Sequence, residues 1–399
     1  MSSVTASSPT ASSTPDLASQ SITRRLLPFA LMIFLGYGTI GLPLGVLPIH
    51  VSDALDQGPL VVGIAVALQA VVTLLTRSWA GAFCDRQGGK PAVLLGLAGC
   101  AGSGLLYLAS LAPAGAGAGL SLLLLGRAVA GVGEGFFVTG ALAWSIATVG
   151  APNAGRAMVW VGIALYGAIA AGGPAGLALQ GWQGFGSVAA ASALAPAVAG
   201  LLAMLLPAVR TGGGVRLPFY RVVGLIWRQG TGFALSAVGF GAISTFVALD
   251  FRAEGWDGAG YALAGFGGSY ILVRLLLGHL PDRIGGAKVA AASLFVEILG
   301  LLLLWGAATP WLAVAGACLV GAGFSLVFPS FGIEAVKRVP PTSRGAALGG
   351  YVAFFDVGLA LTGPVIGLVV AEFGYSAAFA AGAVAAGLAL SFTLGRADR

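Results

Sequence analysis

Gly81-Ala82-Phe83-Cys84-Asp85-Arg86-Gln87-Gly88-Gly89-Lys90 is where a long apolar run stops abruptly in charge and glycine. A near copy follows at Gly278-His279-Leu280-Pro281-Asp282-Arg283-Ile284-Gly285-Gly286-Ala287-Lys288. Subtracting 81 from 278 gives an offset of 197, which also carries Asp85 to Asp282, Arg77 to Arg274 and Gly63 to Gly260. Further along, Gly131-Val132-Gly133 aligns with Gly321-Ala322-Gly323, and Gly173-Pro174 with Gly363-Pro364, both at 321 less 131, an offset of 190. Pairs kept in matching order describe two related halves.

With 58% hydrophobic and 9% charged residues over 399 positions, the chain carries too little charge to clothe a soluble globule. An all-α membrane protein is expected. Its 65 glycines suit helices that pack backbone to backbone in lipid. Cys84, Cys100 and Cys318 show no paired spacing, so neither a disulfide framework nor a metal site is expected. The net charge of +6 invites a nucleic-acid reading, but basic residues lying between apolar segments follow a topological rule instead. No nucleic-acid partner is expected.

A spanning helix needs about 20 mostly apolar residues. Cutting the chain at its polar, Gly and Pro breaks gives twelve candidates, at 26–51, 60–84, 91–112, 119–149, 156–180 and 185–207, then 230–253, 259–281, 288–308, 310–338, 344–371 and 374–395. These bound a disordered tail at 1–25, a first block at 26–207, a central loop at 208–229, a second block at 230–395 and a short tail at 396–399. Lys and Arg gather at one set of ends: Arg24 and Arg25, Arg86 and Lys90, Arg156, the central loop, Arg283 and Lys288, Lys337, Arg338 and Arg344, and the C-terminus. The other ends carry Asp53, Asp56, Glu254, Asp257 and Glu372 with only Arg252 basic. Both termini are therefore expected in the cytoplasm.

The first loop resembles the signature of the major facilitator superfamily between its second and third helices, Gly-x-x-x-Asp-Arg-x-Gly followed by basic residues; the second resembles its weaker echo, with Lys288 displaced by one position. Arg127 followed by Gly131 and Gly133 resembles the fourth-helix motif of proton-coupled members, with Ala130 in place of the usual glutamine. Gly172-Gly173-Pro174-Ala175-Gly176 resembles the antiporter motif of the fifth helix, with Ile169 where a glycine is usual. More narrowly, Gly41-Leu42-Pro43-Leu44 and Val336-Lys337-Arg338-Val339-Pro340 are similar to the YhhS-type subgroup of bacterial inner-membrane transporters, often called arabinose-efflux-like permeases. The resemblance implies twelve transmembrane helices in two six-helix bundles related by a pseudo-twofold axis, a site between them and alternating access by rocking. It implies a multi-pass protein of the bacterial inner membrane that contacts lipid, needs no cofactor, draws on the proton gradient and works as a monomer. By the same resemblance the residues Gly81, Asp85, Arg86, Gly88 and Lys90, with Gly278, Asp282, Arg283, Gly285 and Lys288, form a cytoplasmic gate, Asp85 facing the start of the eleventh helix near Arg344 and Asp282 the start of the fifth near Arg156.

Charges inside spans point to a transport path, because each costs at least about 2.5–3.5 kcal/mol at the bilayer centre and must face a partner or water. Arg127, Gly131 and Glu134 share one helical face, with Arg127 and Glu134 two turns apart and too distant to pair. Glu134 is read as proton carrier; Asp356, with no basic residue nearby in sequence, is read as a second proton site or as counter-ion to a cationic cargo. Gln69, Thr73 and Arg77 share a face able to line the cavity, although snorkelling to the cytoplasmic surface is the favoured account of Arg77 and Arg274. Glu297 is expected to hydrogen-bond a neighbouring helix, and Glu334 to pair with Arg283 or Arg274. Gly173-Pro174 and Gly363-Pro364 are read as hinges or fixed kinks. An intramembrane enzyme would need a catalytic pair or metal cluster, and the sequence offers neither. The expected function is proton-coupled export of a small organic molecule, with proton-linked uptake of a sugar or other metabolite as the alternative.

Overall fold

Residues 16–112, 116–150, 153–209, 219–339 and 344–394 are described in a computed structural model of the chain. They form α1 (Asp16–Gly41), a short α2 (Leu47–Ile49) closed by a π-helical turn (His50–Ala54), α3 (Pro59–Gln87), α4 (Gly89–Ala109), α5 (Ala116–Val149), α6 (Ala154–Gln183) and α7 (Phe185–Leu205). The second half continues with α8 (Phe219–Ala253), α9 (Ala259–Leu277), the short α10 (Leu280–Ile284), α11 (Gly286–Trp305), α12 (Pro310–Lys337), α13 (Arg344–Phe373) and α14 (Ala377–Leu394). Among the described residues, ten helices are long and apolar enough to cross a membrane; α14 is apolar but shorter, and α1 carries Arg24 and Arg25. An all-helical chain is what lipid demands, since a helix satisfies every backbone group within its own segment.

Packing follows the internal repeat. In the first half α4 packs on α5 and α7, α1 on α6 and α7, and α3 on α5; in the second α11 packs on α12 and α14, α8 on α13 and α14, and α9 on α12. The halves meet through α3 with α13 and through α6 with α9.

The loops at Gly81–Lys90 and Gly278–Lys288 serve the packing within each half. Gly88 ends α3 at φ 93 and Gly285 ends α10 at φ 98, a left-handed turn that only glycine enters at little cost. The glycine after each starts the next helix against a partner: a Cβ on Gly89 would lie 2.6 Å from Trp144, and one on Gly286 would lie 2.4 Å from the Ser330 carbonyl. Lys90 donates from Nζ to the carbonyls of Met204 and Leu206 at 2.8 and 2.6 Å, capping the C-terminus of α7 where the backbone dipole favours a cation.

Several boundaries differ from expectation. The first helix starts at Asp16, within the tail expected to be disordered, and stops at Gly41, because Pro43 cannot donate a helical hydrogen bond and its ring clashes with the preceding turn. Helix α8 starts at Phe219, so part of the expected central loop is helical, and Trp227 sits edge-on to Phe392. Helices α6 and α13 run unbroken through Pro174 and Pro364, and their neighbouring glycines serve as contacts.

At the end of the molecule opposite the quoted loops, α3 and α13 touch backbone to backbone. A Cβ on Gly63 would lie 2.0 Å from the Gly363 carbonyl, and one on Gly367 would lie 2.9 Å from that of Pro59. Asp53 of the π-helical turn forms an ion pair with Arg252 at the end of α8, joining the halves at the same end. Gly63→Val should force this end apart, since backbone cannot yield to the new methyls. A cavity-lining cysteine, Ile40→Cys, should then react with a maleimide from that side several-fold faster than in the Gly63 background; an unchanged rate would show that the contact does not hold the end shut.

Candidate functional site

Helix α3 presents Gln69, Thr73 and Arg77 at four-residue spacing, hence along one face. That face holds two carboxylates, one from each half. Glu134 of α5 accepts hydrogen bonds from Tyr37 Oη at 2.7 Å, Gln69 Nε2 at 2.9 Å and Thr73 Oγ1 at 3.2 Å. One turn further along, Arg77 donates from Nε at 2.9 Å and Nη2 at 2.5 Å to the same Asp356 Oδ2 of α13. The Arg77 and Asp356 side chains are 15% and 6% exposed, so this pair bridges the halves largely out of contact with solvent.

Between these groups lies a cavity of about 60 Å³. Glu134, Gln69, Tyr37 and Arg127 line it from the first half; Asp356, Phe355 and Phe240 line it from the second. Its volume suits a few water molecules rather than an organic solute, so cargo can enter only as the halves move apart. Gln69 Oε1 is buried without a hydrogen-bond partner beside the cavity, leaving one acceptor there unused.

Arg127 donates to the α3 carbonyls of Ala65 at 3.0 Å and Val66 at 2.8 Å. It ties α5 to α3 and, as its spacing predicts, does not pair with Glu134. Glu297 accepts from Ser236 Oγ at 2.7 Å, a bond to a neighbouring helix as expected.

Three expectations are corrected. Arg77 does not snorkel to the surface but turns inward, because an acid 279 residues away in sequence faces it; Asp356 correspondingly has a basic partner. Arg274 also turns inward, donating from Nη1 to the Ser325 carbonyl at 2.8 Å and lying 5.8 Å from the Phe328 ring centre. Glu334 pairs with Lys337 at 2.8 Å, one turn away on its own helix, rather than with Arg283 or Arg274. Of the expected gate contacts, the one between Asp85 and the Arg344 side chain lies outside the described residues. Asp282 and Arg156 are both exposed and form no ion pair with each other. Tyr37, Thr73 and Arg77 are the site residues that the sequence did not assign to it, and the four-residue spacing with Gln69 was the signal available for the last two.

The repeat can be followed into the site. A Cβ on Gly131 would lie 2.5 Å from the Gln69 carbonyl, and one on Gly321 would lie 2.1 Å from that of Phe266. Structure and offsets agree that Gln69, Thr73 and Arg77 correspond to Phe266, Tyr270 and Arg274. Offset 190 places Phe324 opposite Glu134 and Tyr166 opposite Asp356. The backbone repeats while the chemistry does not: opposite Gln69, Thr73 and Glu134 of the first half, the equivalent positions of the second join a stack of rings in which Phe240 lies 5.6 Å from Phe324 and from Phe266.

The family model described as Major Facilitator Superfamily matches residues 29–249 and 230–399. The chain is a major facilitator. An uncharacterized MFS-type transporter of Pseudomonas aeruginosa is 46% identical to this facilitator over 388 residues, 96% of each chain. The MFS-type transporter YhhS of Escherichia coli is 42% identical over 383 residues, 95% of each chain. Among solved structures, a variant of the nucleoside transporter NupG superposes with a TM-score of 0.74, and the human organic anion transporter MFSD10 with 0.70. Both are 16% identical, and each match covers 93% of this facilitator and 99% of the other chain, a likeness of fold alone. The protein is thus a multi-pass membrane transporter of the MFS type.

Proposed function

We propose that this facilitator is a proton-coupled exporter of a small organic molecule, working by alternating access in the bacterial inner membrane with both termini in the cytoplasm. In this reading α1 and α14 join the ten longer apolar helices to make twelve spans. Residues 26–207 and 230–395 are the two six-helix bundles, working as a monomer. The matched helix pairings of the two halves support that division.

The observation that carries the coupling is the pair of buried carboxylates on one face of α3. Glu134 is held by three donors within its own half, and Asp356 is held by Arg77 across the halves. Protonation of Asp356 would cancel the charge that binds Arg77 and release α3 from α13; Glu134, beside the cavity, is the group through which cargo and proton compete. The Gly81–Lys90 loop and its copy act in this scheme as the cytoplasmic gate, with Gly173-Pro174 and Gly363-Pro364 accommodating the motion. Export is favoured over sugar uptake because Gln69 is the amide lining the cavity and the opposite wall sets Phe240 and Phe355 beside the hydroxyls of Ser244, Thr245 and Thr362, a mixed surface that suits an amphipathic cargo.

The test is to compare metabolites inside and outside cells that lack or overproduce the protein, then to follow the solute so identified in liposomes under an imposed pH gradient. Outward accumulation driven by inward proton flow is expected. A solute that moves only down its own gradient, indifferent to pH, would sink the proposal.

A further inference from the structure

The repeat places two arginines at equivalent positions of α3 and α9, and they meet different partners. Arg77 is neutralised by Asp356. Arg274 lies where Tyr166 replaces that acid, and among the described residues no carboxylate comes within ion-pair distance of it. Its guanidinium reaches one backbone carbonyl and one ring face, and a Cβ on Gly162 of α6 would lie 3.9 Å from its Nη2. A partly buried cation with so little compensation is costly. Beside it Tyr270, 3% exposed, has a hydroxyl that makes no hydrogen bond of ordinary geometry; it faces Tyr166, whose ring lies 4.8 Å away across the junction of α6 and α9. Guanidinium and phenol hydroxyl are both donors, and among the described residues no carboxylate is placed to accept from the two together.

We infer that Arg274, Tyr270 and Tyr166 form an anion subsite, and that the cargo is an organic anion whose carboxylate, sulfonate or phosphonate docks there. This deepens the transport reading and rests on it, in that the occupant is taken to be cargo. The aromatic wall supplies the rest of the recognition. Phe328 lies against Arg274, Tyr351 lies 5.5 Å from Phe328, and Phe233 lies 4.9 Å from Tyr351 and 5.3 Å from Phe355, which lines the central cavity. Phe233 and Tyr351 are fully buried here, so these rings must part as the halves move before a flat apolar body can lie along them from the cavity to the arginine. The pair at Arg77 and the subsite at Arg274 then divide the work: one arginine holds the halves together, and the other waits for the anion.

The purified protein is titrated, without any gradient, with benzoate, benzenesulfonate and phenylphosphonate, and with benzamide and benzylamine as neutral and cationic matches, reading the thermal midpoint and the calorimetric affinity. At least one anion should raise the midpoint by several degrees, with benzamide weaker and benzylamine without effect. Arg274→Gln should weaken that anion at least about tenfold, and Tyr270→Phe should weaken it about tenfold, since each removes a donor to a charged acceptor. Because the Tyr270 hydroxyl makes no hydrogen bond of ordinary geometry, Tyr270→Phe should destabilise the free protein little, so its result stands even if Arg274→Gln folds poorly. The inference is overturned if none of the anions binds, if benzylamine binds more tightly than all three, or if Tyr270→Phe binds the anion as the natural chain does. Binding is read without a pH gradient, so failure of proton coupling would leave this result untouched, and the reverse also holds.

Discussion

Arg77→Ala should cost the folded protein about 3–5 kcal/mol, because it leaves the Asp356 carboxylate enclosed with neither a counter-charge nor a hydrogen-bond donor. Both guanidinium bonds converge on one oxygen of an acid only 6% exposed. Asp356→Leu should cost less, since Arg77 is 15% exposed on a long stem and can swing toward water, whereas the short aspartate cannot. Removing both charges, as in Arg77→Met with Asp356→Leu, should recover most of the stability lost in Arg77→Ala, because well-packed apolar side chains replace a buried pair at little cost. Transport should nevertheless fail in the double variant, which has no charge with which to hold and release the halves. Thermal unfolding of the purified variants in one detergent reads the ordering. A double variant no more stable than Arg77→Ala would mean that the pair is not the source of the loss.

Glu134→Gln should reduce pH-driven transport by at least tenfold while leaving exchange of cargo across a membrane without a gradient, on the reading that Glu134 carries the proton. The amide keeps the shape of the acid but cannot ionise. It also offers one acceptor oxygen where the carboxylate offers two, so either Tyr37 or Gln69 loses its acceptor, Thr73 keeping the Gly131 carbonyl. An orphaned buried donor costs about 1–3 kcal/mol, so the variant should remain folded but melt earlier. Glu134→Ala orphans both Tyr37 and Gln69, while Thr73 keeps the Gly131 carbonyl at 3.0 Å, and it should be the less stable of the two. The measurement uses the solute identified in the cellular comparison, followed in liposomes at several imposed pH differences. Full response to the gradient in Glu134→Gln would remove this residue from the proton path and leave Asp356 to carry it.

Much of this architecture was legible before any coordinates. The loop at Gly81 to Lys90 and its copy announced two halves, and Gly88 and Gly285 both take the left-handed turn that such a loop requires. Composition required membrane helices, and Glu134, Asp356, Arg127 and Gln69 stood out because charge and amide are expensive in lipid; all four line the one central cavity. The partner of Asp356 was not legible, since no local pattern connects two side chains that meet only when α3 packs on α13. Arg77 could equally have extended to the surface on its flexible stem, and the choice between these positions is set by what faces it. The same reason hid the start of α8 at Phe219, where helix continues through residues that read as loop by composition.

The sequence by itself determined an all-helical membrane chain of two related halves and named its buried carboxylates, because hydropathy, glycine spacing and repeated motifs are written along the chain. Only the tertiary structure decided which charge answers which. It showed that the repeat conserves backbone contacts while exchanging chemistry, so that Gln69, Thr73 and Glu134 on one side become Phe266, Tyr270 and Phe324 on the other. Whether an arginine finds an acid, as Arg77 does across the halves, or only a carbonyl and a ring face, as Arg274 does on α12, depends on contacts between residues far apart in the chain, and such contacts exist only once the helices are packed.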